Sequence, residues 1–311
     1  MDITFASGSD GSDAPDGARG SGSPPPPMDA TLYAPDRPHN ELAVLLDRPG
    51  PLRVADLSAY DQLHYLGTQA LDHAAAELAL RPGARVLDVG SGLGGPARYL
   101  AEQHRCRVTG VELREPLHRL STRLTERTGL HERVDLVHAD ILTASLTPGY
   151  DHLLSLLAFL HIPERERLLR VCADALADGA TFYIEDFYAR RPLTDAERRL
   201  LRDGVSCPDL PEAARYRADL AAAGLQVTTW RDATEPWTDW VRDRADRFRA
   251  DLSEQTRRHG AELAHGLLAF YDLMVDLLAG GGVGGVRITG RRVPAPPSAD
   301  RGSGKRAPGL R

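Results

Sequence analysis

Lysine is nearly missing from this sequence. Lys305 is the only one in 311 residues, and arginine carries the rest of the positive charge. That bias reflects coding composition rather than chemistry. Cysteine is scarce as well: Cys106, Cys172 and Cys207 show no CxxC or paired spacing. This excludes a disulfide framework and a cysteine-rich zinc site, so no metal is expected. Inert thiols in a reducing, cytoplasmic setting are the plain reading. No uninterrupted apolar run reaches the roughly 20 residues needed to cross a bilayer, so no membrane span is expected. The net charge of −6 gives no basic face for nucleic acid. With 42% hydrophobic residues, the chain suits one large domain, with or without a small cap.

The first 38 residues are rich in Gly, Ser, Asp and Pro and predict a disordered extension. Asp2, Asp10, Asp13 and Asp16 against the single Arg19 do not read as a targeting peptide. Met28, directly after the run Pro24 to Pro27, is a candidate alternative start. Order is expected to begin near Glu41, with helical segments at 41–48 and 54–65 and a further helix through Ala70, Leu71, Ala74, Ala75 and Leu78. Residues 291–311 read as a polar tail.

The organising stretch is Arg85 to Ala101, RVLDVGSGLGGPARYLA. A buried strand around Asp88 meets a turn holding Gly90, Gly92, Gly94 and Gly95, and Pro96 opens a helix. A strand, a glycine turn and a helix start bring backbone N–H groups close to a polar cofactor. A plain turn would not need four glycines. The third glycine of the dinucleotide fingerprint is missing, which counts against a nicotinamide oxidoreductase. Strands at 107–111, 134–138, 152–156 and 180–185 alternate with helices, so the fold class is α/β with a parallel sheet. After residue 190 the pattern becomes mostly helical, with strands at 226–230 and 286–289.

Glu112 lies 20 residues beyond Gly92, where a doubly wound sheet places the acid that holds ribose hydroxyls. As a lone carboxylate it could equally be a solvated strand end. Asp140 follows the next strand. Downstream, Phe159-Leu160-His161-Ile162-Pro163 precedes a helix at 164–177.

In this order and spacing, VLDVGSGLGG, VTGVEL, HADIL and LLSLLAFLHIP resemble the class I S-adenosylmethionine-dependent methyltransferases. GSGLGGPARYLA, DQLHYLG and ADILT bring the chain closer to the small-molecule branch with phosphoethanolamine, sarcosine/dimethylglycine and tocopherol or sterol methyltransferases. The resemblance implies a Rossmann-like, seven-stranded, mostly parallel sheet whose last strand is antiparallel, with a helical cap. It divides residues 39–290 into a helical lid (39–80), a cofactor core (81–190) and a substrate side with the cap (191–290), the helices of 235–279 lying between the last two strands.

The resemblance also implies roles. S-adenosylmethionine would lie against Asp88, Gly90, Ser91 and Gly92, with Glu112 on the ribose, Leu113 and Ile141 around the adenine, Asp140 on its amine, and Leu157 nearby. Gln62, His64 and Gly67 would fold over it. His161 would be the catalytic base, with Tyr60 or Tyr65 as its partner. Tyr65, Asp186, Tyr188, Tyr216 and Trp237 would line the substrate pocket. Where phosphoethanolamine enzymes carry an acid, this chain has Leu157, and the C-terminal phosphate-binding lysine is absent, which weighs against a phosphobase. The expected acceptor is a small molecule, most simply an amine, with a phenol, prenyl lipid or sterol-like compound as alternatives, acted on by a monomer or homodimer. A non-catalytic Rossmann-fold binding module is the reading from another class.

Overall fold

The computed structural model describes residues 27–293; the expectations for 1–26 and 294–311 lie outside them. Seven strands form one sheet: β1 (Arg85–Val89), β2 (Arg107–Glu112), β3 (Val134–His138), β4 (Tyr150–Leu156), β5 (Leu176–Ala189), β6 (Leu225–Asp232) and β7 (Val283–Arg292). Their spatial order is β3-β2-β1-β4-β5-β7-β6. β1 to β5 run parallel, and β7 is antiparallel to both of its neighbours. The sheet is therefore the one expected. Central strands read as unbroken apolar runs because both faces are covered, and Val86, Leu87 and Val89 are all buried.

The helices are α1 (Asp36–Asp47), α2 (Val54–Leu57), α3 (Thr68–Glu77), α4 (Gly95–Gln103), α5 (Glu115–Arg127), α6 (Arg165–Ala175), α7 (Asp195–Gly204), α8 (Ala213–Ala222), α9 (Thr234–Ala250), α10 (Leu252–His259) and α11 (Ala261–Ala279). One face of the sheet is sealed by Leu71, Leu100 and neighbours from α3 and α4, the other by Leu168, Leu169 and Leu220 from α6 and α8. α9 to α11 leave the sheet after β6 and return to it at β7, so the cap between the last two strands is present. It has its own core, with Trp237, Leu267, Met274 and Leu278 buried. Among the described residues no helix is long and apolar enough to cross a membrane.

Three expectations need correction. Structure begins well before Glu41: Met28 opens a 3-10 turn and is buried, and Arg37 and Leu42 are buried on α1. The segment 54–65 is helical only from Val54 to Leu57 and continues as turns; Leu66 and Gly67, both with positive φ, then lead into α3. The polar tail was drawn too early, since Arg291 and Arg292 pair with β6 in the sheet.

Candidate active site

The glycine turn after β1 is fastened from below. Gly90 N and Ser91 N donate to Val111 O at 2.9 and 3.1 Å. Gly92 N donates to Glu112 Oε2, and Arg114 N donates to the other oxygen, Oε1, both at 2.8 Å. Glu112 is thereby aimed by two backbone donors. Burial pushes its carboxyl up, and the two N–H groups pull it back. Gly90 has φ +78°, and a Cβ there would stand 2.3 Å from Ala158 Cβ, so only glycine fits between β1 and the end of β4.

A cleft opens at this edge. Of the residues expected at the cofactor, Gly90, Gly92, Glu112, Leu113, Asp140, Ile141 and Leu157 line it. Leu113 is 65% exposed, an unusual position for leucine, while Ile141 is buried. The two give the cleft a flat apolar slot beside the Glu112 carboxylate. Asp140 Oδ1 accepts from Leu142 N at 2.9 Å, which pins the turn after β3.

Asp88 and Ser91 are not on the cleft. Both are buried behind the turn, where the Ser91 side chain packs on Gly110. Asp88 Oδ2 has no hydrogen-bond partner. Burial, followed by the nearby Glu112 charge, pushes the Asp88 carboxyl up to about 7.

A second, narrow cavity adjoins the first, and Tyr33, Leu63, Leu157 and His161 line both. His161 sits on a 3-10 turn, Phe159–His161, after β4. Its Nδ1 lies 3.1 Å from Ser206 O. A carbonyl only accepts, so Nδ1 carries the proton and Nε2 holds the lone pair. Nε2 faces the Tyr33 hydroxyl at 3.3 Å. Leu157 and Ser206, which flank this dyad, are non-glycine residues with φ of 55° and 52°, the kind of backbone strain that gathers at functional sites.

The deeper wall is mostly apolar. α9 contributes Trp240, Val241 and Arg244, and α11 contributes Phe270, Tyr271 and Met274. These spacings put each trio on one helix face. Among the described residues no Asp or Glu lines the chamber. Several ring faces are already taken by arginine: Arg114 over Tyr33 at 4.5 Å, and Arg244 over Trp240 and Tyr271 at 5.2 and 5.0 Å.

With this geometry in view, the comparison with known proteins is decisive for the core. Residues 86–179 match the family model described as a methyltransferase domain. This stretch is a methyltransferase domain. The sarcosine/dimethylglycine N-methyltransferase of Halorhodospira halochloris is 29% identical over 156 residues, covering 50% of this chain and 56% of that protein. The chain thus spans little more than half of that relative. The 27-O-demethylrifamycin SV methyltransferase of Amycolatopsis mediterranei is 29% identical over 198 residues, covering 62% and 72%. Among solved structures, phosphoethanolamine N-methyltransferase 2 of Haemonchus contortus, in complex with phosphomonomethylethanolamine and S-adenosylhomocysteine, superposes with a TM-score of 0.73. It has 15% identity and covers 86% of this chain and 59% of that one.

The methyltransferase domain carries the cleft, but the chamber is built largely by residues on either side of it, and there the sequence reading needs correction. Tyr60 is not beside His161. It packs against the cluster that holds Leu42, Leu57 and Leu117 and lines neither cavity, and Tyr33 takes its place. Tyr33 went unseen because it follows a Gly/Pro-rich stretch that reads as extension. Tyr65 lines the chamber. His64, expected over the cofactor, lines the chamber and not the cleft. Gln62 instead braces His64, its Oε1 lying 2.9 Å from Nε2. Gly67 starts α3 and lines neither cavity.

Asp186, Tyr188 and Tyr216 are structural. Tyr216 donates to Asp186 Oδ2 at 2.7 Å, with Arg165 3.7 Å from the same oxygen. Tyr188 donates to Asp232 at 2.9 Å. Trp237 is fully buried against Gly285, where a Cβ would lie 2.1 Å from its ring. Trp240, one helical turn along, faces the chamber instead. Periodicity groups the two tryptophans on one side of α9 but does not say which one meets a cavity.

Proposed function

We propose that this protein is an S-adenosylmethionine-dependent methyltransferase that methylates a hydroxyl group of a largely apolar small molecule, with His161 as general base. The cofactor fits the cleft. The Leu113–Ile141 slot suits an adenine, the Glu112 carboxylate suits ribose hydroxyls, and the Gly90–Gly92 backbone leaves room for the amino-acid end. When bound there, S-adenosylmethionine supplies an activated methyl group.

The chain's own residues then have two tasks. Leu63 and Leu157, in the wall between the cavities, hold the acceptor in line with the methyl carbon; positioning of this kind can supply on the order of 7–11 kcal/mol of a barrier. His161 takes the acceptor's proton on Nε2, because the Ser206 carbonyl occupies Nδ1–H. The Tyr33 O–H fills the single Nε2 lone pair in the free protein, so the acceptor's hydroxyl takes its place there before the proton moves. The observation that carries this reading is the position of the His161–Tyr33 dyad at the junction of cleft and chamber.

A hydroxyl is favoured over an amine for two reasons. Among the described residues a cationic amine would find no carboxylate in the chamber wall, and arginines already lie over three of its rings, Tyr33, Trp240 and Tyr271, leaving only Tyr65, Phe187 and Phe270 for cation–π attraction. The amine reading is supported by relatives named as sarcosine/dimethylglycine N-methyltransferases, and the test decides between them. Calorimetry should detect S-adenosylhomocysteine binding in the micromolar range. A labelled-methyl screen over phenols, aliphatic alcohols and secondary amines should then give product with the alcohols or phenols. No cofactor binding at millimolar concentration would defeat the methyltransferase reading, and transfer to amines alone would replace the hydroxyl.

A further inference from the structure

Arg244 is the least compensated charge in the chamber. It projects from α9 into the apolar wall, and among the described residues no carboxylate pairs with it. Its contacts are the ring faces of Trp240 and Tyr271 and one hydrogen bond, from Nη2 to the Tyr271 hydroxyl at 3.2 Å. Arg37, the other guanidinium on this wall, is different. It is buried and already paired with Glu41 at 2.9 Å, and it donates to Leu32 O at 2.8 Å. A guanidinium carries five N–H donors, so Arg244 keeps most of its donors for a ligand. Because the Tyr271 oxygen accepts from Arg244, its own O–H is directed to some other acceptor. A flat cation stacked between two rings, with a phenol O–H beside it, matches the two oxygens of a carboxylate or phosphate.

We propose that the acceptor carries an anionic group, and that Arg244 with the Tyr271 hydroxyl binds it at the end of the chamber formed by α9 and α11. This rests on reading the cavity as the acceptor site. It defines the acceptor as an amphipathic acid, with a hydroxyl presented to His161, an apolar body along Met274 and Phe270, and an anion at Arg244. Carboxylate and phosphate share the required chemistry, and the test separates them.

Full-length protein saturated with S-adenosylhomocysteine is titrated calorimetrically with ω-hydroxydecanoate, ω-hydroxydecyl phosphate and the matching decanediol. At least one anion should bind about tenfold more tightly than the diol, a difference of about 1.4 kcal/mol, and the tighter of the two names the group. Arg244→Gln should remove that preference, read as the ratio of anion to diol affinity within the variant. Arg244→Lys keeps the cation and should show an intermediate preference. A diol that binds as tightly as both anions, no anion binding at millimolar concentration, or a preference unaffected by either exchange would overturn the proposal. S-adenosylhomocysteine binding, measured first in the same samples, reports separately on the methyl-transfer reading, so failure of one is not mistaken for failure of the other.

Discussion

The Ser206 carbonyl decides which nitrogen of His161 can act, and that decision is testable. His161→Ala should lower kcat by about 10²–10⁴-fold, the usual contribution of a positioned base, with S-adenosylhomocysteine affinity unchanged in calorimetry. Tyr33→Phe keeps the ring under Arg114 but loses the hydroxyl on Nε2, so it should cost less than the alanine exchange. Equal turnover in wild type and His161→Ala would remove His161 from the chemistry. At this scale the sequence was half legible. Residues that follow the strand-end pattern (Gly90, Glu112, Asp140, Ile141) line the cleft because β1, β2 and β3 all end at one edge and the residues at or just beyond their ends face it. Tyr33 could not, because its neighbours Met28 to Pro38 carry no helical or strand period, and its position is set by packing against Arg114 and His161.

Among the elements, the segment between α2 and α3 behaves as a strap. Arg98 on α4 donates to Asp61 Oδ2, Gln62 Nε2 donates to Asp61 Oδ1, and Gln62 Oε1 meets His64 Nε2, each at 2.9 Å. This chain runs from beneath the glycine turn to the chamber wall. Gly95 permits it: a Cβ there would stand 2.4 Å from Asp61 O. Both charges are fully buried; Arg98 also donates to Leu93 O, Ser121 O and Thr125 Oγ1, while its Nε–H is buried with no partner among the described residues. Breaking one half of such a pair leaves an unmatched charge in the interior, so Asp61→Ala should cost about 3–5 kcal/mol in urea denaturation. Replacing both partners with apolar residues, Asp61→Leu with Arg98→Met, should recover much of that loss; a double variant no more stable than Asp61→Ala would show that the ion pair is not the source. Element order and type were readable because apolar period switches between 2 and 3.6 along the chain. The strap was not, since an irregular segment held by buried polar groups leaves no period at all.

For the whole molecule, the two cavities are cut into one fold whose interior titrates. Asp88 has its folded value raised from 3.8 to about 7, chiefly by burial. Between those values the folded protein holds a proton that the unfolded chain has released, so stability is fully present below about pH 4 and is lost as pH rises through about 7, by on the order of 4 kcal/mol. Asp88→Asn cannot ionise. Without cofactor it should gain on wild type steadily from pH 4.5 to pH 8 (about one pH unit per step in urea melts suffices), and a difference independent of pH would show that Asp88 is not the group responsible. The parallel part of the sheet was legible because five buried strands joined by helices admit few other windings; its antiparallel last strand came from the family resemblance alone. The chamber was not legible, because its walls come from stretches with no motif of their own. That division has a use. The cofactor cleft is encoded almost entirely within residues 86–179, whereas most of the chamber wall comes from two uninterrupted runs outside it, one before β1 and one from the end of β5 through α11. Acceptor choice in this architecture is therefore a transplantable trait: exchanging those two runs between relatives would recast which molecule is recognised while leaving the methyl-donor machinery as it stands.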